Sequence, residues 1–263
     1  MEESKQFCAI PQRYQGKEAQ VHEPVLLDQV ADPTDDDLKE LADRAAEIRQ
    51  KRTRGELPPL IIEFAGSPKS GKSTTIEVVA HFFKRMEFRV RAPSEGASKR
   101  TPYHLRRDLV AFNSWTLNYA ISELLDAYHN VDRPDLVILD RGPFDSLAWL
   151  GLLHEAGDLQ DEIFQTMRDF ALVPRWAELV RRIYVFTCEP EISLERENQA
   201  KLTRRGGTAM NPETLTSLRK QYAHLADTLD EYPVQSFDTT RTTSPLGTAF
   251  TISEDVLTLL ETQ

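Results

Sequence analysis

The stretch that most constrains the fold is GSPKSGKSTT at residues 66–75, directly after the apolar run LIIEFA at 60–65. Gly66 to Ser73 fit the spacing G-x-x-x-x-G-K-[ST]. The flanks supply what that spacing needs, a buried strand before it and an amphipathic helix after it. Glycines at both ends let the backbone curl, so that successive N–H groups converge on an anion at the positive end of a helix dipole. The candidate nucleotide-binding stretch is therefore Gly66, Ser67, Pro68, Lys69, Ser70, Gly71, Lys72, Ser73 and Thr74. Lys72 is expected to reach the β- and γ-phosphates of ATP and the Ser73 hydroxyl to ligate Mg²⁺. Lys69 and Ser70 read as ordinary loop residues.

The rest of the chain decides what such a loop is attached to. A helix from Lys72 places Ile76, Val79, Ala80 and Phe83 on one face, and the short strand FRVRA follows. Next comes a long helix from about 104 to 129, with Leu117, Ile121, Leu124, Leu125 and Tyr128 inward. LVILD (136–140) is a strand, helices fill the interval to about 180, and RIYVF (182–186) is a fourth strand. Asn211 caps a helix with Pro212 at its first position; VQSFDTT is a fifth strand, and 251–261 a closing helix. Apolar strands alternating with amphipathic helices predict an α/β domain over 57–263, a five-stranded parallel sheet covered on both faces. Residues 1–56 form an N-terminal extension with one helix, in which Leu38, Leu41, Ala45 and Ile48 recur at helical spacing. That extension either packs on the main domain or serves as a regulatory or partner-binding arm.

Composition excludes several classes. With a net charge of -10, no global field draws the chain onto nucleic acid or an anionic membrane, although a local basic cleft stays compatible. Cys8 and Cys188 match no metal or redox spacing and suit a reducing cytoplasm. The six histidines show no ligand spacing, so no structural metal is expected. MEESKQF is unlike a signal peptide, and no apolar run approaches the ~18 residues of a membrane span. A cytoplasmic protein is expected, and a homodimer is left open.

What the loop does with phosphate turns on its surroundings. A second carboxylate for the metal should end an apolar strand, and Asp140 does so in LVILDRGPFDS. Motors that hydrolyse ATP often place an acid next, to activate water; here that residue is Arg141. The switch motifs D-x-x-G and N-K-x-D are absent. A cation at that place favours transfer of a phosphoryl group to an acceptor hydroxyl; Arg141 reads alternatively as a helix-start residue in an ion pair. Transfer also needs cations over the phosphates, since positioning and charge stabilisation carry the rate. Arg196, Arg204 and Arg205, beside Gly206 and Gly207, form a candidate arginine lid at about 196–211. Arg196 reads equally as a structural pairing residue. Glu95, just past the second strand, is placed to take the acceptor's proton or bond a sugar, or else is a solvated loop residue. Arg100, Arg106 and Arg107 are candidates for an acceptor phosphate, and Asn113, Trp115, Asn118 and Tyr119 for a base.

Together these features resemble the P-loop nucleoside and nucleoside-monophosphate kinases, closest in pattern to thymidylate kinases and deoxynucleoside kinases. The resemblance covers residues 59–263 and rests on GSPKSGKS, DRGPFDS, CEPEISLERE, TRRGG, LRKQYAHLA and FDTT. It implies that Asp140 and Arg141 serve metal and phosphate and that Arg204 and Arg205 clamp phosphates. It further implies that Asp238, Thr239 and Thr240 lie against adenine, mostly by backbone, and that Glu95 contacts the acceptor sugar. Three departures stand out. Gly142 replaces the aromatic or histidine usual in thymidylate kinases, Asp140 replaces the glutamate usual in deoxynucleoside kinases, and FNSWTLNYA carries no arginine.

The expectation is an ATP- and Mg²⁺-dependent phosphotransferase with a nucleoside- or nucleotide-type acceptor. Its rivals are a kinase of another small molecule or of a nucleic-acid 5′ end, and a nucleotide-binding regulatory module that works through a partner protein.

Overall fold

The computed structural model describes residues 25–26, 31–52, 57–93, 100–200, 209–229, 232–242 and 244–263, with only the backbone at 25, 26 and 200. The described strands form one sheet, all parallel. They are β1 (Val25–Leu26), β2 (Leu60–Gly66), β3 (Val90–Arg91), β4 (Leu136–Asp140), β5 (Val180–Thr187) and β6 (Val234–Asp238), in the spatial order β1-β6-β5-β2-β4-β3. Five of them are the expected strands. The sixth, β1, comes from the N-terminal extension and pairs Val25 with Phe237 and Leu26 with Asp238.

β2 shows why the sheet needs cover on both faces, since all seven of its residues are buried. Strand alternation sends Ile61 and Ala65 to one face and Leu60, Ile62 and Phe64 to the other. The first face packs under α3 (Leu109–His129), α4 (Pro143–Glu155) and α8 (Pro212–Thr228), meeting Leu117, Leu147 and Tyr222. The second packs under α1 (Asp35–Lys51), α2 (Lys72–Arg85) and α9 (Leu246–Glu261), meeting Ile48, Phe83 and Ile252. Each fully buried Ile or Phe contributes roughly 1.5–3 kcal/mol relative to exposure.

The remaining helices are α5 (Asp161–Ala171), α6 (Pro174–Ala177) and α7 (Pro190–Ala200). The long helix expected from 104 is broken. Tyr103–Arg107 form a 3-10 turn, and Asp108 then caps α3 by accepting the Ala111 N–H at 3.0 Å. The closing helix begins at Leu246, five residues before the expected start, because Gly247 and Thr248 pack inward without an apolar period to signal it. α1 is set by a capping box: Thr34 Oγ1 accepts from Asp37 N at 3.2 Å, and Asp37 Oδ2 accepts from Thr34 N at 2.8 Å. Leu41, Ala45 and Ile48 are buried against the domain, whereas Leu38 is exposed at the helix start.

Candidate active site

Gly66, the last residue of β2, adopts φ +145°, and a Cβ there would lie 2.0 Å from the Phe186 carbonyl oxygen of β5. Only glycine lets the loop leave the sheet so close to its neighbour. The Ser67 N–H donates to that same carbonyl at 2.9 Å. Lys69 lies at positive φ, and Gly71 at the N-cap of α2 leads into Lys72. Ser73 and Thr74 are exposed on the first turn of α2. The buried Ser67 hydroxyl has no hydrogen-bond partner among the described residues, as suits a loop built to receive oxygen ligands.

β4 pairs with β2 so that Asp140 stands beside Phe64, which brings the carboxylate to the loop. Lys72 Nζ contacts Asp140 Oδ1 at 2.7 Å, with both side chains almost fully buried. Burial, followed by the nearby Arg141 guanidinium, lowers the Lys72 pKa, and Asp140 opposes that shift. Arg141 has φ +68° and faces the first turn of α4, where Nη1 donates to Asp145 Oδ1 at 3.1 Å and Oδ2 at 2.8 Å. The Trp149 ring lies 6.0 Å from the guanidinium carbon.

Two further acids lie beneath this pair, and neither was singled out in the sequence. Asp145 Oδ1 also accepts the Gly66 N–H at 3.0 Å and the Tyr222 hydroxyl at 2.8 Å. Glu63, on the α4-facing side of β2, accepts the N–H groups of Gly142 at 2.9 Å, Phe144 at 3.2 Å and Asp145 at 2.8 Å. It therefore caps α4 from a neighbouring strand, a task its own N-cap residue, Gly142, has no side chain to perform. A Cβ on Gly142 would lie 2.5 Å from the Glu63 carboxyl carbon, which accounts for glycine where the kinase resemblance led one to expect a ring. Burial pushes the Glu63 pKa up to about 7, against the three N–H bonds that favour its charge.

Arg196, from α7, is a strut. Its guanidinium donates to the carbonyls of Lys69 at 3.2 Å, Thr239 at 2.7 Å and Thr242 at 3.4 Å, tying the phosphate loop to the loop after β6. Thr239 is buried and donates to the Ser70 carbonyl at 2.8 Å, so its side chain braces the phosphate loop. Thr240 bonds Asp238 and accepts the Glu189 N–H at 3.0 Å. Lys69 pairs with Glu197 at 3.1 Å. Glu95, Arg204 and Arg205 lie outside the described residues.

A cavity of about 1230 Å³ opens from the phosphate loop into the groove between α3 and α4. Lys69, Lys72, Arg106, Arg107, Arg141 and Arg196 line it, against the carboxylates of Asp145 and Asp158. In a chain of net charge -10 this is a local cationic cleft. Leu109, Phe112 and Trp149 add an apolar and aromatic lining, with Asn113 among them. Arg100, Trp115 and Tyr119 form a separate stack, Arg100 lying 5.5 Å from the Tyr119 ring and Trp115 5.2 Å from it. Asn118 donates to the Ser114 carbonyl of its own helix.

No family model and no curated protein matches the sequence. Solved structures do share the fold. A deoxyadenosine kinase from M. mycoides with bound dATP superposes at a TM-score of 0.53 with 16% identity, covering 76% of this chain and all (100%) of that one. The same enzyme with bound dCTP gives 0.52 at 15% identity over the same shares. With the products dCMP and a flexible dCDP it gives 0.53 at 15%, again over 76% and 100%. This chain is thus similar in fold to the P-loop deoxynucleoside kinases.

Proposed function

We propose that the chain is a phosphotransferase that moves the γ-phosphoryl group of ATP to a nucleoside- or nucleotide-type acceptor. One observation carries the reading. Lys72 and Arg141, neighbours beside the phosphate loop, line the same cavity as Arg106 and Arg107 and as the apolar side chains of Phe112 and Trp149. The first pair suits a donor triphosphate and the second a phosphate on the acceptor, with Phe112 and Trp149 suited to a base. The fold shared with deoxyadenosine kinases supports the same reading.

In this reading the loop amides and Lys72 bind the β- and γ-phosphates, and Lys72 exchanges part of its bond with Asp140 for phosphate oxygen. Arg141 neutralises charge that builds on the transferring group, as cations do across this reaction class. No carboxylate follows Asp140 to activate water, which favours an acceptor hydroxyl over hydrolysis. Arg204 and Arg205 would close over the phosphates and exclude solvent, and Glu95 would take the acceptor's proton. Ser73 and Asp140 fit Mg²⁺, an exposed hydroxyl and a carboxylate being the hard oxygen donors it takes. Among the described residues no group of three or more acids, histidines or cysteines surrounds a metal position. The ion would therefore be shared with phosphate oxygens and water, as Mg²⁺ commonly is; when bound it screens the charge on those oxygens. No described helix is long and apolar enough to cross a membrane.

The test is incubation with Mg²⁺ and γ-labelled ATP against pools of nucleosides, nucleoside monophosphates and 5′-hydroxyl oligonucleotides. Labelled nucleoside phosphate is expected, and Lys72→Ala should reduce its formation by at least about 10²-fold. Tight ATP binding without transfer to any pool would overturn the kinase reading and leave a regulatory module.

A further inference from the structure

Given the transfer reading above, we propose that Asp145 is a positioning residue of the site, holding the Arg141 guanidinium and the entry to the phosphate loop in one rigid frame.

The bonding pattern says what Asp145 does and what it does not do. Its Oδ1 accepts three donors, the Gly66 N–H, the Tyr222 hydroxyl and Arg141 Nη1, and its Oδ2 accepts Arg141 Nη1 as well. A carboxylate so occupied and nearly excluded from solvent is badly placed to accept a proton from an acceptor hydroxyl, so it is no general base. Its partners instead come from the three parts that must agree: β2 where it turns into the phosphate loop, the arginine after β4, and α8. Asp145 is itself fixed, because its own N–H donates to Glu63 along with those of Gly142 and Phe144. The chain Glu63, α4 first turn, Asp145, Arg141 therefore runs from the middle of the central strand to the cation that faces the phosphates.

Arg141 needs such a hold. It follows the strand at a positive φ, in a backbone conformation that does not by itself aim the side chain, and its guanidinium lies between Asp145 and the Trp149 ring. Gly66 needs it too, because its N–H points away from the sheet ladder toward α4. One carboxylate serving both makes the distance between loop and arginine a fixed quantity. Transfer depends on that distance far more steeply than binding does.

Asp145→Asn separates positioning from bulk stability. The Asn oxygen still accepts from Gly66 and Tyr222 in the Oδ1 place, whereas its NH₂ replaces the closer Oδ2 acceptor of Arg141 and the negative charge is gone. The variant therefore loosens the arginine selectively, leaving it only the 3.1 Å contact. The expected result is a fall of about 10²-fold in kcat with KM for ATP little changed. In an Arg141→Ala background, Asp145→Asn should change kcat by no more than about twofold, because the residue it positions is gone. An equal fall in both backgrounds, or no fall in the first, overturns the proposal, since a merely structural role lowers the active fraction regardless of Arg141. If Asp145→Asn does not fold, Asp145→Glu carries the same cycle, since it keeps the charge and shifts only where the carboxylate reaches. It should lower kcat modestly beside Arg141 and not at all without it, and equal effects overturn the proposal. If the unaltered protein transfers nothing, the kinase reading fails on its own, and the hold on Arg141 is read from the order of its guanidinium in ¹⁵N relaxation. Asp145→Asn should mobilise the Arg141 side chain, and an unchanged order parameter overturns the positioning role.

Discussion

Glu63 is an acid at a place where strand alternation asks for an apolar side chain, between Ile61 and Ala65 on the α4 face of β2. It persists there because three helix-terminal N–H groups need an acceptor and their own N-cap is a glycine. Its ionisation links the site to pH. An unfolded glutamate titrates near 4.5, and in the fold burial raises this to about 7. Between those values the folded chain keeps a proton that the unfolded chain has released. The Glu63 contribution to stability is therefore full below about 4.5 and declines as pH rises through that window. Glu63→Gln should flatten the decline by on the order of 1 kcal/mol per pH unit, measured as the urea-unfolding free energy across the window. Lys72, Asp140 and Arg141 were legible because each sits in a short motif whose neighbours define it. Asp145, Glu63 and Tyr222 were not, because they meet from three elements far apart in sequence. The one local hint was a charge inside an otherwise apolar strand.

At the level of elements, α1 shows how an extension becomes part of a domain. Its capping box fixes where it starts, and Leu41, Ala45 and Ile48 then share a core with α2 and α9. Beyond the core, Arg44 pairs with Glu261 at 2.7 Å, and Arg52 donates to the Leu260 carbonyl at 2.9 Å. The packed alternative for this helix is what the described residues show. A chain that begins at Leu57 should lose roughly 3–6 kcal/mol, from the exposure of two or three buried aliphatic side chains. Thr34→Ala alone should lose about 1 kcal/mol; both are checked by chemical denaturation. Five of the strand positions were readable because apolar runs between turns leave little choice, whereas β1 is two residues of a polar extension and carried too short a run to signal it. Helix limits were less so. The break before α3 depends on Asp108 acting as a cap inside a continuous polar-to-apolar run, and the early start of α9 depends on small residues that carry no periodic signal.

For the whole molecule, parallel order decides where everything gathers. β2, β4, β5 and β6 all point their carboxyl ends at one edge, so Gly66, Asp140, Thr187 and Asp238 arrive together although they span most of the sequence. Ligands collect at such edges in open α/β sheets, and the cavity opens there. The same order has a consequence for the birth of the chain. β2 lies at the centre, yet its two neighbours are β4 at 136–140 and β5 at 180–187. During synthesis the strand that carries the phosphate loop must wait for more than a hundred further residues before both its edges are paired. Through that interval Ile62 and Phe64 lack Tyr184 and Phe186 of β5 and the cover of α9, and the open edge invites pairing with another nascent chain. Ribosome-held chains that end before β5 should therefore be cut rapidly by protease within 60–66, and chains that extend past β6 should resist.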